Sequence, residues 1–310
     1  ESDPDYRFTL FVGAGHSVVK LDKRNGSELW RAQVSENVQS IIHEDGMVFV
    51  GAWGKAFALD PSNGHQLWEN KLPGLGSVFT SCVTMKSEST PATATETTSD
   101  LLFLTVHGKG TTALSKGTGQ TVWSFKKGSP YSLLPLPAEN FLLVGTFMGH
   151  IFCLNALNSE VVWKNDLKGV GNEPVFFAPI GPGQSDPAHG GAVFVGAGHY
   201  VLKLDKHSGA EVWRTKLSST FGAPVQSLIY EDGVLIAAGD SEVYSLQPAN
   251  GAQVWANKLT SYGKSETSCV TAASPNTIGQ SPVATLHALK SNGDLSGVAS
   301  WSQALNIIPH

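Results

Sequence analysis

The sequence predicts an all-β chain folded as a single seven-bladed β-propeller of four-stranded antiparallel blades, with eight blades the alternative. Three observations carry this. A tryptophan recurs at propeller-blade spacing, a tight turn precedes each one, and strands of alternating polarity lie between. Six segments align directly: KLDKRNGSELW ending at Trp30, ALDPSNGHQLW at Trp68, ALSKGTGQTVW at Trp123, CLNALNSEVVW at Trp163, KLDKHSGAEVW at Trp213 and SLQPANGAQVW at Trp255. A looser seventh copy, SNGDLSGVASW, ends at Trp301. The steps between tryptophans are 38, 55, 40, 50, 42 and 46 residues, within the range of propeller blades.

Each repeat reads as four strands. An apolar run such as Phe49-Val50-Gly51 leads through a Gly-containing turn into the alternating strand Ala56 to Asp60, whose period of two places neighbouring side chains on opposite faces. Asn-Gly or Ser-Gly then closes a tight turn, because these residues adopt positive φ at low cost. The tryptophan-bearing strand follows, and a further strand such as Val38 to His43 opens the next repeat. A lone sheet cannot bury two apolar faces, whereas a ring of them can. Residues 1–310 are therefore expected to form one domain. Its blades lie near 7–34, 36–72, 76–127, 130–167, 172–217, 223–259 and 265–304. The first repeat begins without an inner strand, and the end of the chain, around Ile307-Ile308, resembles the segment after Trp30. A C-terminal strand at 305–310 is expected to complete blade one and remove a free sheet edge. Trp30, Trp68, Trp123, Trp163, Trp213, Trp255 and Trp301 are read as structural residues between blades.

The halves of the chain are related. Phe11 to Arg31 and Phe194 to Arg214 match at 15 of 21 positions, and Thr80-Ser81-Cys82-Val83-Thr84 recurs as Thr267-Ser268-Cys269-Val270-Thr271. Blades one to three therefore read as duplicates of five to seven.

The pattern Ala-x-Asp-x-x-x-Gly-x-x-x-Trp, at Ala58 to Trp68 and with variation in five other repeats, resembles the tryptophan-docking motif of quinoprotein alcohol dehydrogenase-like propellers. The resemblance spans almost the whole chain. It implies the fold, in a family that includes quinone-dependent dehydrogenases, bacterial outer-membrane assembly scaffolds and noncatalytic sensors. The dehydrogenases of that family hold pyrroloquinoline quinone against two adjacent, disulfide-linked cysteines, with a calcium ion nearby. Cys82, Cys153 and Cys269 are widely separated here, and no repeat gathers the carboxylate and amide groups that calcium requires. No catalytic residue, cofactor or metal is carried over.

Composition narrows the partners. A net charge of −5 and a scatter of Lys and Arg offer no basic field for nucleic acid. No apolar run reaches the ~18 residues of a membrane span. The cysteines are expected to be buried thiols. The Ser/Thr-rich insert 87–100 and the insert 181–191 are expected to be mobile loops.

The candidate site is placed on the face formed by the turns between second and third strands and the links between blades. Five histidines, His16, His107, His150, His199 and His287, fall on or near those turns. They stand on separate blades, too far apart to share one zinc. Trp53, Phe147 and Tyr200 supply aromatic surfaces suited to stacking on a ligand, with Phe79, Tyr131, Phe221 and Tyr262 on the links nearer the channel mouth. His16 and His199 occupy equivalent positions in the duplicated halves. Trp53, Tyr200, Phe147, His16 and His199 are thus the candidate ligand-binding residues of a non-catalytic recognition module. Its expected ligand is a carbohydrate bound in lectin fashion. A protein–protein scaffold is the alternative, with a quinone-dependent oxidoreductase the least favoured reading. The partner is expected to be a glycan or a protein, not nucleic acid, with no membrane insertion.

Overall fold

The computed structural model describes residues 8–85, 97–136, 139–178, 191–218, 225–231, 233–239 and 242–259. Within them, 23 strands form six antiparallel sheets in chain order. The first comprises β1 (Thr9–Ala14), β2 (Ser17–Asp22) and β3 (Glu28–Gln33). The second is β4 (Val38–Glu44), β5 (Met47–Ala52), β6 (Lys55–Leu59) and β7 (Gln66–Asn70). The third is β8 (Thr80–Thr84), β9 (Leu101–Val106), β10 (Gly110–Ser115) and β11 (Thr121–Phe125). The fourth contains β12 (Pro130–Leu136), β13 (Phe141–Thr146), β14 (Ile151–Asn155) and β15 (Val161–Asn165). The fifth is β16 (Val175–Phe177), β17 (Ala192–Ala197), β18 (Tyr200–Asp205) and β19 (Glu211–Lys216). The sixth is β20 (Ser227–Glu231), β21 (Val234–Gly239), β22 (Glu242–Leu246) and β23 (Gln253–Lys258).

These sheets are blades of a β-propeller, each an up-and-down meander. The core is divided accordingly, with one apolar cluster between each successive pair. Val18, Val48, Val50 and Phe57 join the first and second blades. Phe49, Trp68, Leu102 and Leu104 join the second and third. Equivalent clusters around Trp123, Trp163 and Phe194 continue to the sixth.

The repeated tryptophan is the joint. Its indole N–H donates to a main-chain carbonyl in the third-to-fourth-strand turn of the next blade: Trp30 to Pro61 at 3.0 Å, Trp68 to Lys116 at 2.7 Å, Trp123 to Ala156 at 2.8 Å, Trp163 to Lys206 at 2.9 Å and Trp213 to Pro248 at 3.0 Å. The ring lies on the turn glycine. A Cβ placed on Gly64, Gly119, Gly209 or Gly251 would come within 2.4–2.8 Å of the indole of the preceding blade. That glycine therefore supplies both positive φ and a bare surface for the ring.

A second regularity aims each tryptophan. The register shifts by one residue just before it: Ala58 pairs with Trp68 but Leu59 with Gln66, and the other five sheets repeat the shift. The bulged residue is Leu29, Leu67, Val122, Val162, Val212 or Val254, each exposed. Such a bulge twists an outermost strand and interrupts the edge at which another strand could pair.

Among the described residues the first sheet has three strands, and β1 is far more exposed than its equivalents β5, β9, β13 and β17. The expected C-terminal strand 305–310, the seventh repeat with Trp301, Cys269, Phe221, Tyr262 and His287 all lie outside the described residues. One expectation changes. The end of the 87–100 insert is ordered, because Thr98 to Asp100 form a 3-10 turn with a Thr97/Asp100 capping box. The buried Thr98 hydroxyl donates to Asn140 at 3.0 Å, and the Asp100 carbonyl accepts from Lys116 N–H at 2.8 Å. Polarity alone concealed these contacts, which satisfy the segment through neighbouring turns rather than by apolar burial.

Candidate functional site

Antiparallel order brings the second-to-third-strand turns and the inter-blade links to one end of the barrel of blades. Main-chain hydrogen bonds tie the two sets together: Gly54 N–H to Val78 O at 3.0 Å, Gly108 N–H to Pro130 O at 2.9 Å and Gly149 N–H to Glu173 O at 3.1 Å. Across the second to fourth blades the turn face is thus a rim tied together by main-chain hydrogen bonds rather than a set of free loops.

Trp53, His107 and Phe147 hold the same place in three consecutive blades. Their backbone N–H groups donate to the carbonyls of Asn37, Phe79 and Ser129, each just before the inner strand of the same blade. Counting back from the leucine of the third strand sets Trp53, six residues before Leu59, apart from His107 and Phe147, each seven residues before Leu114 and Leu154, because turn lengths differ. Val106 pairs with Gly110 across three residues, whereas Ala52 pairs with Lys55 across two.

His107 is the centre of an aromatic cluster. Its ring lies 4.8 Å from Phe79, 5.0 Å from Tyr131 and 6.4 Å from Phe147, while Tyr131 packs at 4.3 Å on Phe147 and at 5.5 Å on Phe176. All five are buried. Burial among these rings holds the imidazole pKa down at about 3, so His107 is neutral across the physiological range. Its Nδ1 is enclosed with no hydrogen-bond partner among the described residues. Phe147, and the link aromatics Phe79 and Tyr131, thus spend their surface on one another.

The other candidate residues are dispersed. Trp53 is half-buried on the second blade. Tyr200 is half-buried on the fifth, with the Arg214 guanidinium 5.3 Å from its ring centroid. That guanidinium is held by Glu211 at 2.7 Å and by the Lys168 carbonyl at 2.6 Å. His16 is exposed on the first blade and His199 half-buried on the fifth, beside Glu173. Burial pushes the Glu173 carboxyl pKa up, and the nearby His199 partly opposes the shift. The five candidates therefore sit on four different sheets. The equivalence of His16 and His199 extends to the main chain. Their carbonyls accept from Val34 and Leu217, both at 2.8 Å, and the preceding Gly15 and Gly198 carbonyls accept from Val38 and Val225.

Sequence reading missed the lysines of this face. Lys71, Lys109, Lys126 and Lys127 are exposed on two links and one turn, and their scatter along the chain hid their proximity in the fold. Among the described residues no group of three His, Cys, Asp or Glu side chains comes together to hold a metal ion. The residues do not fit a quinone platform either: Cys82 on β8 and Cys153 on β14 are buried free thiols of different sheets. Desolvation raises their pKa values to about 11 and about 12. No helix among the described residues is long and apolar enough to cross a membrane.

Fold and docking geometry define a propeller of PQQ-like repeats. A family model described as outer membrane protein assembly factor BamB matches residues 7–124 and 107–304, and the chain belongs to that PQQ-like β-propeller repeat family. Among curated proteins no match was found. BamB from Moraxella catarrhalis is similar with a TM-score of 0.58 at 19% identity, over 81% of this chain and 73% of that one. The computationally designed protein Ika8 gives 0.64 at 16% identity, over 85% and 75%. Sqt1 of Saccharomyces cerevisiae gives 0.62 at 12%, over 80% and 70%. At these identities the likenesses show the fold.

Proposed function

We propose that the chain is a non-catalytic scaffold that docks a protein partner on its turn face. The observation that carries this reading is the family match, whose model is described as an assembly factor and extends over both halves of the chain. The rim supports it physically. Its turns are hydrogen-bonded to the links, so a partner meets a pre-formed surface and loses little further conformational freedom of this chain on binding. His107, enclosed by rings and held neutral, is suited to packing rather than to proton transfer.

A carbohydrate ligand, expected from Trp53, Phe147 and Tyr200, has less support, because Phe147 is buried against Tyr131 and His107. Affinity purification of the tagged chain from its native source is expected to recover one stoichiometric protein. A glycan array run in parallel is expected to stay blank. Array binding abolished by Trp53→Ala or Tyr200→Ala, with no protein recovered, would replace the scaffold reading by the lectin one.

A further inference from the structure

We propose that the turn face of the second to fourth blades binds an acidic peptide segment of a partner protein, through four lysines set around an apolar centre. The proposal rests on the scaffold reading and gives it a location and a chemistry. The link 71–79, the turn 107–109 and the link 126–129 contain Lys71, Lys109, Lys126 and Lys127 and no Asp or Glu. All four lysines are exposed.

The segments adjoin one another. A Cβ built on Gly74 would meet Lys126 Nζ at 2.7 Å, and one on Gly110 would meet Lys126 Cγ at 3.4 Å. Lys126 therefore lies between the first link and the third blade. Gly108 N–H donates to Pro130 O and Phe147 N–H to Ser129 O, which sets the third- and fourth-blade turns against the second link. The acids on the flanking parts of the rim are compensated: Glu173, on the link whose carbonyl accepts from Gly149 beside Met148, is half-buried next to His199. Glu36 and Glu69 both pair with Lys55, at 3.2 and 3.4 Å, and Asp166 pairs with Lys164 and with His150. Among the described residues none of the four lysines has an ion-pair partner.

The apolar part is Met148, 38% exposed at the tip of the fourth-blade turn, and the half-buried Trp53 of the second. Methionine and aromatic side chains are enriched where protein partners bury surface, and charges ringing such a centre steer and orient the incoming segment. The occupant is short and mixed in character. The whole chain carries −5, so a long polyanion is repelled beyond the patch, whereas a peptide of a few acidic residues feels only the field within about one Debye length, ~8 Å. A phosphate backbone also offers nothing apolar to Met148.

The test uses the whole chain and a random 12-residue peptide library displayed on phage. Selected peptides are expected to combine two or more acidic residues with an apolar one. Measured by fluorescence polarisation, their affinity is expected to fall at least tenfold on the combined Lys71→Glu, Lys109→Glu, Lys126→Glu and Lys127→Glu substitution, about threefold on Met148→Ala, and steadily with added salt. Both variants are checked by their unfolding midpoints. Selected peptides without acidic residues, or an affinity indifferent to charge reversal, would overturn the proposal. So would tighter lysine-dependent binding of a single-stranded oligonucleotide or of phosphatidylserine vesicles. If the charge-reversed chain still purifies with its native partner, the location is wrong while the scaffold stands; if the native chain purifies with none, the scaffold reading itself fails.

Discussion

Replacing Gly119 by alanine tests the blade joint, and Gly46 supplies its control. Both glycines have φ +69°, but a Cβ on Gly46 meets nothing within 4 Å, whereas a Cβ on Gly119 would lie 2.5 Å from Trp68 Cδ2 and 2.6 Å from Cε3. The left-handed conformation costs a non-glycine residue about 1–2 kcal/mol, partly offset by about 0.4–1 kcal/mol from the reduced entropy of the unfolded chain. Gly46→Ala is thus expected to destabilise by about 1 kcal/mol. Gly119→Ala adds the displacement of the indole by nearly 1 Å. That shift lengthens the 2.7 Å bond from Trp68 Nε1 to the Lys116 carbonyl beyond hydrogen-bonding range, a loss of about 0.5–1.5 kcal/mol. Repacking an overfilled contact adds about 1–3 kcal/mol. The difference between the two variants is therefore expected to be about 2–4 kcal/mol, read from urea unfolding midpoints at constant slope. Adding Trp68→Leu is expected to remove most of that difference, because the clash then has no partner. Equal destabilisation by the two glycine substitutions would refute the seating of the indole on the turn.

Four further outcomes are expected. His107 titrates near 6.5 when unfolded and at about 3 when folded; its stability contribution is complete above pH 6.5 and declines as pH falls towards 3, by about 2 kcal/mol at pH 5, a slope that His107→Phe should abolish in thermal melts. Lys116 is 4% exposed and pairs with Asp45 at 2.7 Å and Glu44 at 3.4 Å, so Glu44→Ala together with Asp45→Ala is expected to cost about 3–5 kcal/mol in urea unfolding by leaving a buried ammonium uncompensated. Ser159 holds φ +61° where the other six repeats have glycine, and Ser159→Gly should raise the unfolding midpoint by the equivalent of about 0.5–1 kcal/mol. Cys82 and Cys153, buried with raised pKa values, should react with an aromatic disulfide reagent only as the chain unfolds.

The repeat made the propeller legible because its requirements are local. A turn that needs positive φ selects Asn-Gly or Ser-Gly, and a strand with two environments shows alternation. The inter-blade tryptophans follow from the same spacing, and the structure adds their partners: five donate to a carbonyl of the next blade. Trp255 is 45% exposed among the described residues, and its expected partner in the seventh repeat lies outside them.

The face was harder to read. Trp53 and Phe147 look alike as aromatic turn residues, yet Phe147 is enclosed by Tyr131 and His107 while Trp53 stays half-buried. That distinction depends on contacts between separate blades. Lys71, Lys109 and Lys126 likewise form one surface only because links and turns from different repeats share a rim.

The sequence by itself therefore determined the repeat, the strands and the residues that join one blade to the next. These depend on backbone conformation and on a period that every copy repeats. Tertiary structure alone decided which aromatic rings are used up in packing, which insert residues are tied down and where uncompensated charge gathers. Those properties come from blades brought together in space, and neighbours across a rim need share no spacing along the chain.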